Sequence, residues 1–268
     1  MSKLRLGIIG VGNFAIKRHI PEIIDHNKFE LVAICRRNRE TLKKINHKLK
    51  IKSTYTNYKN MLENEKLDAV LISSPHSLHS EHALESLKKN CHVLLEKPIG
   101  TSILKTKEII KLANKKKLRL ICIHNPPYEN HFRVIKKIID QNIIGKVEYA
   151  NIVWSDYKSP FFGKGKFIKS QLSSIMPTKF RNNKKIAGGG ILFDSGCHLL
   201  AEIIWILNKK PLNVYCSIDN KKIELRVNIS LEFTNNQIIN LNIIGDSKHK
   251  NRRIESCYWG DKNIIRLT

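Results

Sequence analysis

A chain of 268 residues, 41% of them apolar, is long enough to bury a substantial core in one large domain or two small ones. No apolar run approaches the ~18 residues of a membrane span, which argues against an integral membrane protein. The net charge of +25 is spread along the whole chain beside heavy use of Ile and Asn, so it reads as compositional bias, and no specific nucleic-acid partner is expected.

Residues 1–10 look superficially like a signal peptide. Their apolar run is short and leads into a glycine turn, so a cytoplasmic protein is expected. Cys35, Cys91, Cys122, Cys197, Cys216 and Cys257 are scattered, with no CxxC pair and no metal-ligand spacing. They read as reduced, mostly structural thiols, and no metal site is expected.

Residues 4–10 form an apolar run that leads into Gly10-Val11-Gly12-Asn13-Phe14-Ala15 and then a helical pattern to about Asp25. Strand, GxGxxA, helix is the dinucleotide-binding fingerprint in the context it requires. Gly10 permits the tight turn, Gly12 lets backbone amides approach a pyrophosphate, and Ala15 lets the helix pack closely on the strand. The plainer alternative is a tight turn with no ligand. The next strand, residues 30–35, ends in Arg36-Arg37, where a ribose-binding acid would be usual. A carboxylate there would repel a 2′-phosphate and arginines would pair with it, so NADP(H) is expected over NAD(H). The alternative is that both arginines merely belong to the basic excess.

Alternation continues with a helix over residues 38–49, an irregular stretch over 53–58 and a short helix over 58–63. A strand over 69–72 leads into Ser73-Ser74-Pro75-His76-Ser77-Leu78-His79 and a helix over 80–90. A strand over 92–95 runs into Glu96-Lys97-Pro98, followed by a helix over 102–116 and a strand over 119–123. Near-continuous apolar strands separated by helices indicate an α/β, doubly wound parallel sheet over residues 1–123. A lysine at the carboxyl end of such a strand lies where open α/β sheets bind ligands, although Glu96 and Lys97 could simply be a solvated strand end.

Beyond this point residues 124–268 read as a second domain, with β-branched strand candidates at 147–155, 213–218, 225–233, 238–244 and 252–258. Between them, Gly188-Gly189-Gly190 precedes Ile191-Leu192-Phe193-Asp194-Ser195-Gly196-Cys197-His198 and an apolar helix to about Leu207. Asp194 and His198 are four apart, so on a helix they share a face. Taken alone they read as a helix cap and a satisfied core histidine.

Four segments resemble the glucose-fructose oxidoreductase and inositol dehydrogenase (GFO/IDH/MocA) family: GVGNFA at 10–15, residues 73–100, the helix ending in Asn142-Ile143-Ile144-Gly145-Lys146-Val147, and residues 188–200. The resemblance spans nearly the whole chain in consistent order. It implies a Rossmann domain followed by an α+β domain with an open, mainly antiparallel sheet. Such a sheet could bury its second face in a homodimer or tetramer.

Family members mostly oxidise or reduce sugars, cyclitols or nucleotide sugars. The resemblance implies that His198 is the acid/base, Lys97 its electrostatic partner and Asp194 an orienting group. It also implies cofactor contacts at Asn13, Phe14, Ser74, Pro75, His76, His79, Glu96, Lys97 and Pro98. Substrate contacts are implied at Asn125 and Arg181, alongside Asp194 and His198. A cis Lys97–Pro98 bond is frequent in the family, while trans is the default for any X–Pro.

The chain departs from the family pattern at His76, usually asparagine, and across Pro126-Pro127-Tyr128-Glu129-Asn130. Ala201 stands where an acid is usual, and the chain ends earlier than most members. Two other readings share the fold: an imine or biliverdin-type reductase, and a dinucleotide-binding sensor without turnover.

Overall fold

The first strand, β1 (Leu4–Ile9), ends in four consecutive buried residues, the pattern of a strand covered on both faces. A computed structural model describes residues 2–219 and 222–268. In it β1 is joined by β2 (Phe29–Cys35), β3 (Ser53–Tyr55), β4 (Ala69–Ile72), β5 (His92–Glu96) and β6 (Leu120–Ile123). These make a six-stranded, wholly parallel sheet in the order β3-β2-β1-β4-β5-β6. Successive strand residues point to opposite faces, so two apolar clusters form. Ile8, Ile34 and Leu71 meet Ile20, Leu42 and Ile45 on one side. Ile9, Val70 and Ile72 meet Ala83, Leu87 and Ile109 on the other.

The helices of this unit are α1 (Asn13–Lys17), α2 (His19–Asp25), α3 (Arg39–Leu49), α4 (Tyr58–Asn64), α5 (His79–Lys88) and α6 (Ile103–Lys115). Asn38 and Asn57 cap α3 and α4 by accepting from the amides of Thr41 and Lys59. Two details differ from the sequence expectation. The helix after the glycine turn breaks at Arg18, whose φ of −122° ends α1 and starts α2. The stretch expected to be irregular contains β3, which extends the sheet beside β2 through Ala33, Ile34 and Cys35. Strand order reverses between β1 and β4, which places a ligand crevice at their carboxyl ends.

By internal contacts the chain divides into two compact units, Met1–Ile123 with Phe167–Gly188, and His124–Lys166 with Gly189–Thr268. In the second unit α7 (Asn130–Asp140), β7 (Val147–Ser155) and α8 (Cys197–Leu207) precede β8 (Asn213–Ile218), β9 (Arg226–Glu232), β10 (Ile238–Ile244), β11 (Arg253–Gly260) and β12 (Ile264–Leu267). The sheet order is β12-β11-β7-β10-β9-β8. All neighbours are antiparallel except β7 and β10. One face is core: Ile152, Trp154, Ile229 and Leu241 pack with Phe132 and Ile135 of α7 and with Leu199, Ile203 and Ile206 of α8. The other face carries side chains such as Tyr149, Asn151, Asn228 and Asn242 and has no covering helix among the described residues. β12 is a strand the sequence reading did not place. The most apolar helical stretch, Lys184–Leu207, is split between the units after Gly188, and its second part is the core helix α8.

Candidate active site

In the first unit the glycine loop is built for close approach. Gly10 has φ of +93°, and a Cβ there would stand 2.5 Å from the Ser74 amide nitrogen, so only glycine fits. Its own amide donates to Cys35 O at 3.0 Å, tying the turn to the end of β2. A Cβ on Gly12 would meet only Gly10 O at 3.9 Å, so the space beside Gly12 is open. No side chain caps α1, and Ala15 is fully buried against the sheet. Asn13 donates to Gln171 O at 2.9 Å, and its Oδ1 is buried without a partner. Phe14 is exposed and meets the His19 ring edge-on at 5.2 Å. These features fit a dinucleotide pyrophosphate: backbone without side chains, an open space and an uncapped helix start.

At the end of β2 the half-buried Arg36 donates from Nη1 to Val11 O at 2.5 Å, while its Nε is buried without a partner. Burial pushes its pKa below the ordinary value. Arg37 beside it is exposed.

The ends of β4 and β5 carry the remaining polar residues of this unit. Glu96 pairs with His19 Nε2 at 2.7 Å through one carboxylate oxygen and accepts from the Lys97 amide at 3.1 Å through the other. The Lys97–Pro98 bond is cis. Ser74 Oγ lies 3.0 Å from His82 Nδ1, and burial pushes the His82 imidazole down to about 4. His79 is fully buried. His76 Nδ1 lies 2.8 Å from Ala187 O, and the ring meets Phe180 edge-on at 5.0 Å. Arg181 lies over the Phe180 ring at 4.6 Å. Arg181 thus belongs to the same unit as Pro75, Glu96 and Lys97, and Ile175 of the same segment packs on the sheet's apolar cluster.

In the second unit Gly190 is also a close approach. A Cβ on Gly190 would fall 2.5 Å from both the carboxyl carbon and the carbonyl oxygen of Glu224. Instead the Gly190 amide donates to Glu224 Oε1 at 2.6 Å, and the Ile191 amide to Glu224 O at 3.0 Å. Asp194 then sits, buried, in a π-helical turn, Leu192–Gly196, not in the α-helix its spacing to His198 suggests. Its amide donates to Gly190 O at 3.0 Å, and Ser195 Oγ lies 3.5 Å from its Oδ2. His198 is in the first turn of α8, and its ring meets His124 edge-on at 5.2 Å. Asn125 is exposed, with its carbonyl accepting from the Tyr128 amide.

Two residues here escaped sequence reasoning. His124 had a signal, its position next to Asn125 at the end of β6. Glu202 had another, as a lone acid in the apolar run of α8. It is fully buried, accepts from Tyr258 Oη at 3.3 Å, and is pushed by burial up to about 8. Among the described residues no cluster of His, Cys, Asp and Glu could hold a metal ion.

Residues 4–124 match an oxidoreductase family with an NAD-binding Rossmann fold, and residues 132–259 match the GFO/IDH/MocA C-terminal domain. The D-glucoside 3-dehydrogenase of Escherichia coli (strain K12) is 27% identical over 206 residues, which cover 77% of this chain and 54% of that protein. The chain therefore spans about half the length of that curated relative. Among solved structures, myo-inositol 2-dehydrogenase from Lactobacillus plantarum superposes with a TM-score of 0.83 at 24% identity, covering 99% of this chain and 76% of that one. The WlbA dehydrogenase from Bordetella pertussis, in complex with NADH and UDP-GlcNAcA, gives 0.85 at 22% identity with the same coverage of both chains. At these identities the structural likeness concerns the fold.

Proposed function

Because the chain belongs to the GFO/IDH/MocA family of oxidoreductases with an NAD-binding Rossmann fold, we propose that it transfers hydride between a nicotinamide dinucleotide and a secondary alcohol or ketone. The substrate class is a sugar, cyclitol or nucleotide sugar, and the preferred cofactor is NADP(H). The observation that carries the reading is that the Gly10–Gly12 turn and Glu96-Lys97-Pro98 stand at the carboxyl ends of strands in one parallel sheet. The names of the relatives, a glucoside and an inositol dehydrogenase, support polyol chemistry.

The dinucleotide, when bound, supplies or accepts the hydride. Gly12 and the first turn of α1 would hold its pyrophosphate, and Ser74, Pro75, His76, Glu96 and Pro98 would frame its nicotinamide half. Arg36 and Arg37 would hold a 2′-phosphate; the buried Arg36 Nε, without a protein partner, supports that role. The Lys97 ammonium stabilises the alkoxide as it develops and lowers the alcohol's pKa. His198 gives a proton to the carbonyl oxygen in reduction and takes the hydroxyl proton in oxidation. Asp194 orients the substrate or His198, and Asn125 and Arg181 contact the substrate. The open sheet face is the proposed homodimer surface, with further pairing to a tetramer along the same face. Six free thiols fit a reducing, cytoplasmic setting.

The test is NADPH oxidation against a panel of ketoses and keto-cyclitols, with His198→Ala alongside. We expect turnover with at least one member of the panel and a loss of about 10²–10⁴-fold in the variant. Equal turnover in variant and wild type would sink the assignment of His198.

A further inference from the structure

His79 opens α5 and is fully buried, and both of its ring nitrogens face carbonyl oxygens. Nδ1 lies 2.7 Å from Pro98 O and Nε2 lies 2.9 Å from Ser74 O. A carbonyl oxygen can only accept, and a neutral imidazole has one N–H to give. With a neutral ring, one of the two contacts would set lone pair against lone pair at hydrogen-bond distance. An imidazolium satisfies both, through two charge-assisted bonds.

The two carbonyls are not arbitrary. The backbone ladder between β4 and β5 ends at Ile72 and Leu95. Ser74 and Pro98 lie just beyond it, on the two loops that carry Pro75 and Lys97. His79 thus ties these loops together where the sheet itself no longer does. We propose that His79 is a doubly protonated clamp across the ends of β4 and β5 that sets the position of Lys97. The second half of this inference rests on the catalytic reading of Lys97.

The surrounding groups work against one another. Burial pushes the imidazole below its ordinary range, and Lys97 pushes the same way. The carbonyls of Pro98 and Ser74 and the Glu96 carboxylate push it up. His82, from the same helix, is itself held low by burial, and the His76 ring stands edge-on at 5.6 Å. Their net effect is to lower the pKa; the charged ring is inferred from the two short contacts alone, only one of which a neutral ring can satisfy.

The direct test is ring ¹⁵N spectroscopy of the full chain labelled at histidine, with His79 assigned through its backbone amide. The clamp predicts protons on both ring nitrogens at neutral pH. A bare nitrogen on His79 at neutral pH would overturn it, and this reading needs neither turnover nor a variant that folds. The second test is His79→Gln, which keeps one donor. We expect roughly a tenfold loss of kcat with unchanged circular dichroism, and no further loss when the substitution is made in a Lys97→Ala background. The same tenfold loss in both backgrounds would show that His79 does not act through Lys97. A wild-type chain without turnover would likewise overturn the Lys97 half, while the ring spectra decide the clamp by themselves.

Discussion

In the proposed reading Arg36 is the residue on which cofactor choice turns. Its Nη1 is committed to Val11 O, and its buried Nε has no protein partner. Arg36→Asp would replace the cation proposed to hold the 2′-phosphate with an anion. The expected result is that the preference for NADPH over NADH is lost or reversed. Lys97→Ala should leave dinucleotide binding within a few-fold and lower kcat by at least ~10²-fold, since in the proposed reaction its charge acts as the alkoxide develops. A matching loss of binding would make Lys97 a structural residue instead. Glu202 makes a pH prediction. Burial holds its carboxyl at about 8, above the ordinary 4.5, with Glu129 adding to the rise and Tyr258 opposing it. The folded chain therefore keeps a proton that the unfolded chain releases. Stability should fall as pH rises from about 4.5 to about 8, by on the order of 3 kcal/mol between 4.5 and 7. Thermal melts of Glu202→Gln should lack this slope; parallel slopes in variant and wild type would contradict the burial argument. The glycine loop was legible in the sequence because its geometry is local. His79 was named there only as a cofactor contact implied by the resemblance; its two carbonyl partners, at residues 74 and 98, meet only in the folded chain.

At the scale of elements, the parallel sheet was readable because each of its long strands is an apolar run and each helix has its own period. β3 was missed because Ser53–Tyr55 is three residues long and only partly buried, and it is a strand only because β2 offers it a ladder. β12 is similarly short. The π-helical turn at Asp194 could not be read from the spacing of Asp194 and His198, which fits an α-helix equally well. Its surroundings explain the tight packing: a Cβ on Gly196 would fall 2.8 Å from both Ile243 and Leu192, and one on Gly190 would strike Glu224. Gly190→Ala should therefore destabilise the fold by about 1–3 kcal/mol, read as a lower urea midpoint at unchanged slope. An unchanged midpoint would mean that the Glu224 side chain and its backbone can move aside. The segment Phe167–Gly188 has no periodicity in sequence; its place in the first unit rests on contacts such as Asn13 to Gln171 O and His76 to Ala187 O.

At the scale of the whole molecule, the second sheet has one face that no helix covers among the described residues. Along it Asn228 donates to Asn242 at 2.7 Å, Asn242 donates to Asn151 at 3.0 Å, and Asn240 donates to the Tyr149 hydroxyl at 2.7 Å. This network of neutral amide and hydroxyl side chains lies on the face proposed above for pairing with a second copy. If the proposed pairing holds, light scattering should give a dimer or tetramer, and Asn242→Lys, which adds a charge to that face in each copy, should shift it toward monomer. A monomeric wild type at micromolar concentration would remove the open face from the account. The central claim is that the first unit binds a nicotinamide dinucleotide through the Gly10–Gly12 turn and Arg36. The measurement that bears on it most directly is titration with NADPH and with NADH, followed by nicotinamide fluorescence, for wild type and Arg36→Asp. The account predicts saturable binding of both, tighter for NADPH, with that preference lost in the variant. No binding of either dinucleotide at micromolar protein would contradict it.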